Sequence, residues 1–446
     1  MQPTLDPEFL APVLFNRAYS ARASSGQPLI LALERESGLV SRFETRIVEG
    51  DIDTLRYIER IVKFLLWSRG GWKLTVGGPA AIADFLRQEY SQAGARAFDV
   101  ELMERVYGKP FEVVCCEMDA APAACESGSA LGGHLDGCRI GFDLGASDFK
   151  ISAVRDGEVF FSEEYPWNPR VQSDPAYHWN HLNEGLRAAA VCLPKVDAIG
   201  GSSAGVIVNN EIRVASLFRS VPMDRFATEV RGMFKRLAQE WRVPVEVVND
   251  GEVTALAGAM SLKKNAILGI AMGSSEAAGY IDRNGRITGW LNELAFAPVD
   301  YSMKAKADEW SEDSGVGALY FSQQAVNRLL PASGIEVPPD MGLPERLKEV
   351  QRLMAEDDPR ADRIFQSIGV CLGYTIAHYS DFYEFDDILL LGRVTSGRGG
   401  NVVVSCARDV LQSEFSDLAD RITINVPDEK SRRVGQAVAA ASLPKL

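Results

Sequence analysis

Four short turns of small residues, one of them beside an aspartate, and a strand-to-helix junction with a second aspartate are where this sequence could cradle a phosphate or move a proton. Asp143-Leu144-Gly145-Ala146-Ser147 follows the apolar run "RIGF" and feeds a tight turn. Gly145 and Ala146 let backbone N–H groups approach an oxyanion, and Ser147 adds a hydroxyl donor. Asp143 can orient a hydrated Mg²⁺, which favours a few carboxylates together with phosphate oxygens. Lys150 follows the same turn. A plain hairpin whose acid caps its turn is the competing reading. The other three turns are "AIGGSSAG", which holds Gly201 and Ser202, then Gly273-Ser274-Ser275, and Gly392 after "ILLL". One such turn is weak evidence; four at strand ends are hard to explain as loop chemistry alone. Between them, "VEVVNDGEVTALAG" places Asn249 and Asp250 where a strand meets a helix. Asp250 is either a helix cap or a carboxylate base beside a substrate hydroxyl, a role that contributes roughly 10²–10⁴ in rate.

The elements that must position these residues fall into rounds. Residues 28–36 and 39–48 form a hairpin near Gly38, followed by a helix "TLRYIERIVKFLLWSR", a strand "WKLTVGG", a helix "AAIADFLRQEYSQAG" and a strand "FEVVCCE". Residues 1–117 make an α/β unit, regulatory or dimerising, with the order of an RNase-H-like half as a weaker reading. Residues 118–137, rich in Ala, Gly and Ser, read as a linker. Hairpin, helix, strand and helix then occur twice, over 138–265 and 266–446, with a turn at Asn284-Gly285 in the second round. Two related lobes with a ligand cleft between them are expected.

Composition limits the partners. A net charge of −14 over 446 residues disfavours nucleic acid and anionic membranes, because neither attracts an acidic surface. No apolar run reaches membrane-spanning length, and the start lacks a basic flank and apolar core of the signal-peptide kind. Seven cysteines without Cys-x-x-Cys spacing suggest reduced thiols in a cytoplasmic protein.

With these motifs in place, the sequence from about Arg139 to Ala440 resembles the ROK family of sugar kinases and sugar-responsive repressors, within the actin-like ATPase superfamily. "DLGAS" resembles the first phosphate motif, "GGSSAG" the glycine-rich connecting segment, and "ILLLGRVTSG" the adenosine segment. "VEVVNDGEVTALAGA" is similar to the stretch whose aspartate is the catalytic base, here Asp250. "GWLNELAFAPV" resembles the segment whose glutamate binds sugar, here Glu293. The resemblance implies an α/β fold of two RNase-H-like lobes and ATP-dependent phosphorylation of a sugar hydroxyl with Mg²⁺. It assigns Asn249, Glu293, Gly201 and Ser202 to the sugar, Asp143 to Mg²⁺, and Asp143, Gly145, Ser147, Lys150, Gly273, Ser274 and Gly392 to the nucleotide. A non-catalytic sugar-binding regulator is the alternative. No helix-turn-helix spacing stands in 1–117, which disfavours a DNA-binding repressor.

The departures carry expectations of their own. Phe296 stands where the family has a histidine for zinc and sugar, and "DSGVGALYFSQQAV" replaces its zinc cysteines. No zinc is expected; packing around Tyr301, Trp310, Tyr320 and Phe321 must order that region. In the second phosphate motif Glu276 brings a charge towards the phosphates, a repulsion of roughly 4 kcal/mol at about 4 Å unless its carboxylate turns away or binds a cation. Arg393 replaces a glycine, so it either blocks the nucleotide or contacts its phosphates. Trp167, Tyr177, Trp179, Asn168 and His178 form a loop that either stacks on a sugar or packs the lobe.

Overall fold

The computed structural model describes residues 1–126, 131–145, 148–427 and 429–446, with side chains from 435 onward in the last of these. Two compact units emerge. One gathers Met1–Ser127, Ile270–Ala278 and Trp290–Val426; the other gathers Gly128–Gly269, Gly279–Gly289 and Pro427–Leu446.

The first sheet comprises Gln27–Glu34 (β1), Val40–Ile47 (β2), Lys73–Gly77 (β3) and Glu112–Cys116 (β4), in the order β2-β1-β3-β4. The expected hairpin forms, turning through Ser37 and Gly38, both at positive φ. β1 and β3 are antiparallel. A helical crossover preserves strand direction, so after a two-strand hairpin the next strand follows β2 and opposes β1. An RNase-H-like half needs a third hairpin strand to bring that neighbour parallel. The N-terminal segment is therefore not a decayed third half.

The second unit shows the complete arrangement. Cys138–Leu144 (β5), Asp148–Arg155 (β6), Glu158–Pro166 (β7), Ala198–Ser203 (β8), Val206–Val208 (β9), Glu211–Val214 (β10) and Val245–Asn249 (β11) are its strands. Five of them form the sheet β11-β8-β5-β6-β7, while β9 and β10 make a separate hairpin. β5, β8 and β11 run parallel; β6 and β7 complete an antiparallel meander. β5 is buried along its whole length. Helix Glu429–Ala441 covers β5 and β8, and two glycines admit it. A Cβ on Gly141 or Gly200 would fall 1.8 or 1.7 Å from the carbonyl oxygen of Ala437 or Ala440. This close approach assigns the chain's last segment to the unit of β5, not to 266–446 as the sequence boundaries have it.

The remaining sheet, Ile267–Met272 (β12), Glu276–Ile281 (β13), Asp387–Leu391 (β14) and Thr423–Asn425 (β15), has the order β13-β12-β14-β15. The expected linker is tied down on both sides of 127–130, which lie outside the described residues. Cys125 pairs with Val40 and Arg35 holds Glu126, while Gly132 and His134 donate backbone hydrogen bonds to Leu443 and Ser442. No described helix is long and apolar enough to cross a membrane.

The order of 296–321 comes largely from the N-terminal segment. Tyr301, Tyr320 and Phe321 are buried as expected, but Trp310 is 74% exposed. Leu10 exchanges backbone bonds with this region, donating to Asp300 Oδ1 and accepting from Tyr301. Phe296 packs against Trp67, with ring centroids 4.5 Å apart. Beneath lie three buried acids, Glu59, Asp99 and Asp313, and three bases, the buried Arg60 and Lys63 and the partly buried Arg96. Asp313 alone lies within 3.1 Å of all three bases. Burial by itself would raise the Asp313 carboxyl, yet Lys63 and Arg60 hold it below its ordinary pKa.

Candidate functional site

In the second unit the carboxyl ends of β5, β8 and β11 gather the sequence candidates. The register sets Asp143 opposite Ser202 and Asn249 opposite Ser203. Open parallel sheets bind ligands at these strand ends. Asp143 is buried; its Oδ1 accepts from Ser202 Oγ at 2.8 Å and its Oδ2 lies 3.5 Å from Lys150 Nζ. Ser202 is itself buried, so its hydroxyl serves Asp143. Gly201 faces inward, where a Cβ would strike the Phe142 ring at 2.1 Å.

At the start of helix Asp250–Leu262 the Gly251 N–H is shared between Asn249 Oδ1 and Asp250 Oδ1, at 2.7 and 3.1 Å. Asn249 is the cap, and its Nδ2 donates to the Gly205 carbonyl. Asp250 is the first helical residue and partly exposed. Burial, followed by the Asp143 carboxylate, pushes its pKa up to about 6. A carboxyl tuned towards neutrality beside a second acid is the pattern of a general base.

The turn after β5 has an unforeseen support. Gly145 N donates to the Asp148 carbonyl, and Gly145 O accepts from Trp167 Nε1 at 2.9 Å. Ser147 lies outside the described residues. Trp167 is buried, as is His178, whose ring nitrogen reaches the Pro169 and Leu217 carbonyls. Tyr177 stacks near Trp167, and Arg236 covers the face of Trp179. Most of the aromatic loop is thus packing, with Asn168 exposed.

In the other unit, Gly273 and Gly392 come together: a Cβ on Gly392, at φ 97°, would fall 2.3 Å from the Met272 carbonyl. Ser274, Ser275 and Arg393 are exposed there. Glu293 is half-buried, and its backbone N–H donates to the Trp67 carbonyl at 3.0 Å. Sequence reasoning missed Trp67 because nothing in a buried helical tryptophan marks it as adjacent to this segment.

Glu276 turns away: strand alternation points it into the core, where it is 4% exposed with neither carboxylate oxygen hydrogen-bonded. Its Oε2 would lie 2.1 Å from a Cβ on Gly317. Burial, then the field of Glu293, pushes its pKa up to about 8. The carboxyl is neutral at pH 7 and does not repel a phosphate from the turn. Because this pKa exceeds the ordinary 4.5, the associated stability is intact below pH 4.5 and is lost as pH rises through about 8. Glu276→Met should stabilise the fold by about 1–3 kcal/mol at pH 7 and flatten that decline. Denaturant titrations from pH 5 to 9 that show no gain would place the carboxyl in a hydrated setting.

The fold was compared with solved structures. A ROK hexokinase from Thermus thermophilus superposes with a TM-score of 0.53 at 17% identity, over 68% of this chain and 97% of that one. The fold is that of the ROK proteins. A ROK transcriptional regulator described as a homolog of the E. coli MLC protein gives 0.53 at 16% identity, over 68% of this chain and 78% of that one. A ROK glucokinase from Streptomyces griseus, in complex with glucose and AMPPNP, gives 0.50 at 16%, over 68% and 98%. No family model matches the sequence, nor does the sequence of any curated protein. About a third of this chain therefore lies outside each ROK match.

Proposed function

We propose that the protein is an ATP-dependent carbohydrate kinase acting on a hydroxyl of a hexose or hexose derivative. The observation that carries this reading is the Asp143–Asp250 pair at the ends of β5 and β11, with Asp250 poised at about pH 6. Asp250 accepts the proton of the attacking hydroxyl. Asn249, in the unit of Asp250, and Glu293, in the other unit, are the residues that the resemblance assigns to sugar hydroxyls. Ser202 and Lys150 orient Asp143, whose hard oxygen donors fit hydrated Mg²⁺. The exposed Ser274 offers a hydroxyl to a phosphate, and the resemblance assigns Gly145, Gly273 and Gly392 to the nucleotide. ATP·Mg²⁺ supplies the phosphoryl group and its counter-charge. The hexokinase and the glucokinase among the compared structures support a sugar as acceptor.

The regulator with the same fold supports a second reading, a sugar-binding protein without turnover. One observation favours it. Of the second phosphate motif only Gly273 and Gly279 remain as glycines, and Gly279 is needed where a Cβ would meet the Gly251 carbonyl at 2.1 Å. Sugar-dependent ADP release by the full chain, over a panel of hexoses and hexosamines, decides between them. Release with one sugar supports the kinase. Sugar binding by calorimetry without ADP release supports the second reading, and neither result would refute both.

A further inference from the structure

The segment carrying Glu293 is built onto the end of a helix that lies outside the stretch, from about Arg139 to Ala440, whose sequence resembles the ROK family. An α-helix leaves its last four carbonyls without partners of its own. In helix Thr54–Arg69, Gly70 N satisfies Leu66, and three successive N–H groups satisfy the rest. Leu291 donates to Arg69 at 3.2 Å, Asn292 to Ser68 at 3.1 Å, and Glu293 to Trp67 at 3.0 Å. Asn292 sits at φ 51°, a left-handed conformation that asparagine adopts more readily than most residues.

Side chains lock the same junction. Trp67 is fully buried, its Nε1 donates to Asp99 Oδ1 at 2.6 Å, and its ring lies against Phe296. The Arg69 guanidinium lies 3.3 Å from the ring centroid of Trp290. Tyr383 donates its hydroxyl to Asn292 Oδ1 at 3.0 Å.

We infer that the N-terminal segment completes the substrate site: the last turn of helix Thr54–Arg69 sets the backbone of Glu293, and Trp67 is its positioning residue. The inference rests on Glu293 as a sugar-binding residue. A displacement of about 1 Å in a positioned group can cost on the order of 10²-fold, so the helix end governs sugar affinity while leaving the nucleotide to other residues.

The test uses the full chain with D-glucose and AMPPNP·Mg²⁺ as separate calorimetric probes. Trp67→Phe keeps the packing against Phe296 and removes the anchor to Asp99. Glucose affinity should fall by about tenfold, or roughly 1.4 kcal/mol, with AMPPNP affinity unchanged. In a Glu293→Gln background the same change should add nothing, because Trp67 acts through Glu293. Amide exchange at 291–293, which needs no ligand, should accelerate while that of β5 and β11 stays fixed. Arg69→Gln, which loosens the Trp290 side of the junction, is read the same way if Trp67→Phe does not fold. Additive losses in the double variant, or unchanged exchange at 291–293, would overturn the inference. A Glu293→Gln variant that binds glucose normally would instead remove the kinase reading, and the exchange result would still decide the positioning.

Discussion

Asp250→Asn should lower sugar phosphorylation by about 10²–10⁴ in turnover, with sugar affinity within about tenfold of the parent. The amide keeps the size of the carboxylate and still hydrogen-bonds a hydroxyl, but it does not accept a proton near neutrality. Helix capping should be untouched, since the cap is Asn249. The fold should be no less stable, because the substitution removes a carboxyl whose ionisation burial and Asp143 oppose. The parent supplies its own control. A base with a pKa of about 6 is protonated, and idle, below that pH. kcat/KM should therefore fall about tenfold per pH unit below pH 6 and level off above it. Turnover of Asp250→Asn equal to the parent's on the best sugar would take Asp250 out of the mechanism.

The second large effect concerns stability. Asp313→Asn leaves Arg60, Lys63 and Arg96 facing only Glu59 and Asp99 in a site closed to water. Removing one partner from a buried ionic group costs about 3–5 kcal/mol, because the remaining charge is neither paired nor hydrated. Lys63→Met restores the balance of charge, so Asp313→Asn with Lys63→Met should lose less than the sum of the single changes. Urea denaturation of the four chains reads both quantities. A loss below 1 kcal/mol for Asp313→Asn would show that water reaches the cluster. The same contacts predict that a chain begun at residue 138 lacks the groups its 296–321 region is built around.

The fold and the acid pair were legible because both are written locally. A strand ending in Asp143 and a strand-to-helix junction at Asn249-Asp250 follow from apolar alternation, small residues and turn chemistry within a few positions. Helix Ala97–Tyr107 was not read, since "AFDVELMERVY" continues a polar stretch without a clear start signal. Pro12–Arg22 was missed too; its apolar residues make no continuous stripe. Long-range partners were beyond reach for a different reason. Trp67 meets Phe296, and Arg60 meets Asp313, across more than two hundred residues, and no spacing rule records such a pairing. The direction of Glu276 stayed open in the sequence because a motif comparison carries no information on which strand face is buried.

The helix resting on Gly141 and Gly200 governs the order in which this chain can fold. β5 begins at Cys138, yet Ala437, whose carbonyl rests on its Gly141, is synthesised about 300 positions later. The other unit waits as well, since the partners of Arg60 and Lys63 include Asp313. Neither core closes while the chain is still short. Such non-local closure slows folding and leaves apolar strand surface uncovered meanwhile. During synthesis, β5 consequently stays without the helix that covers it until the last segment has emerged.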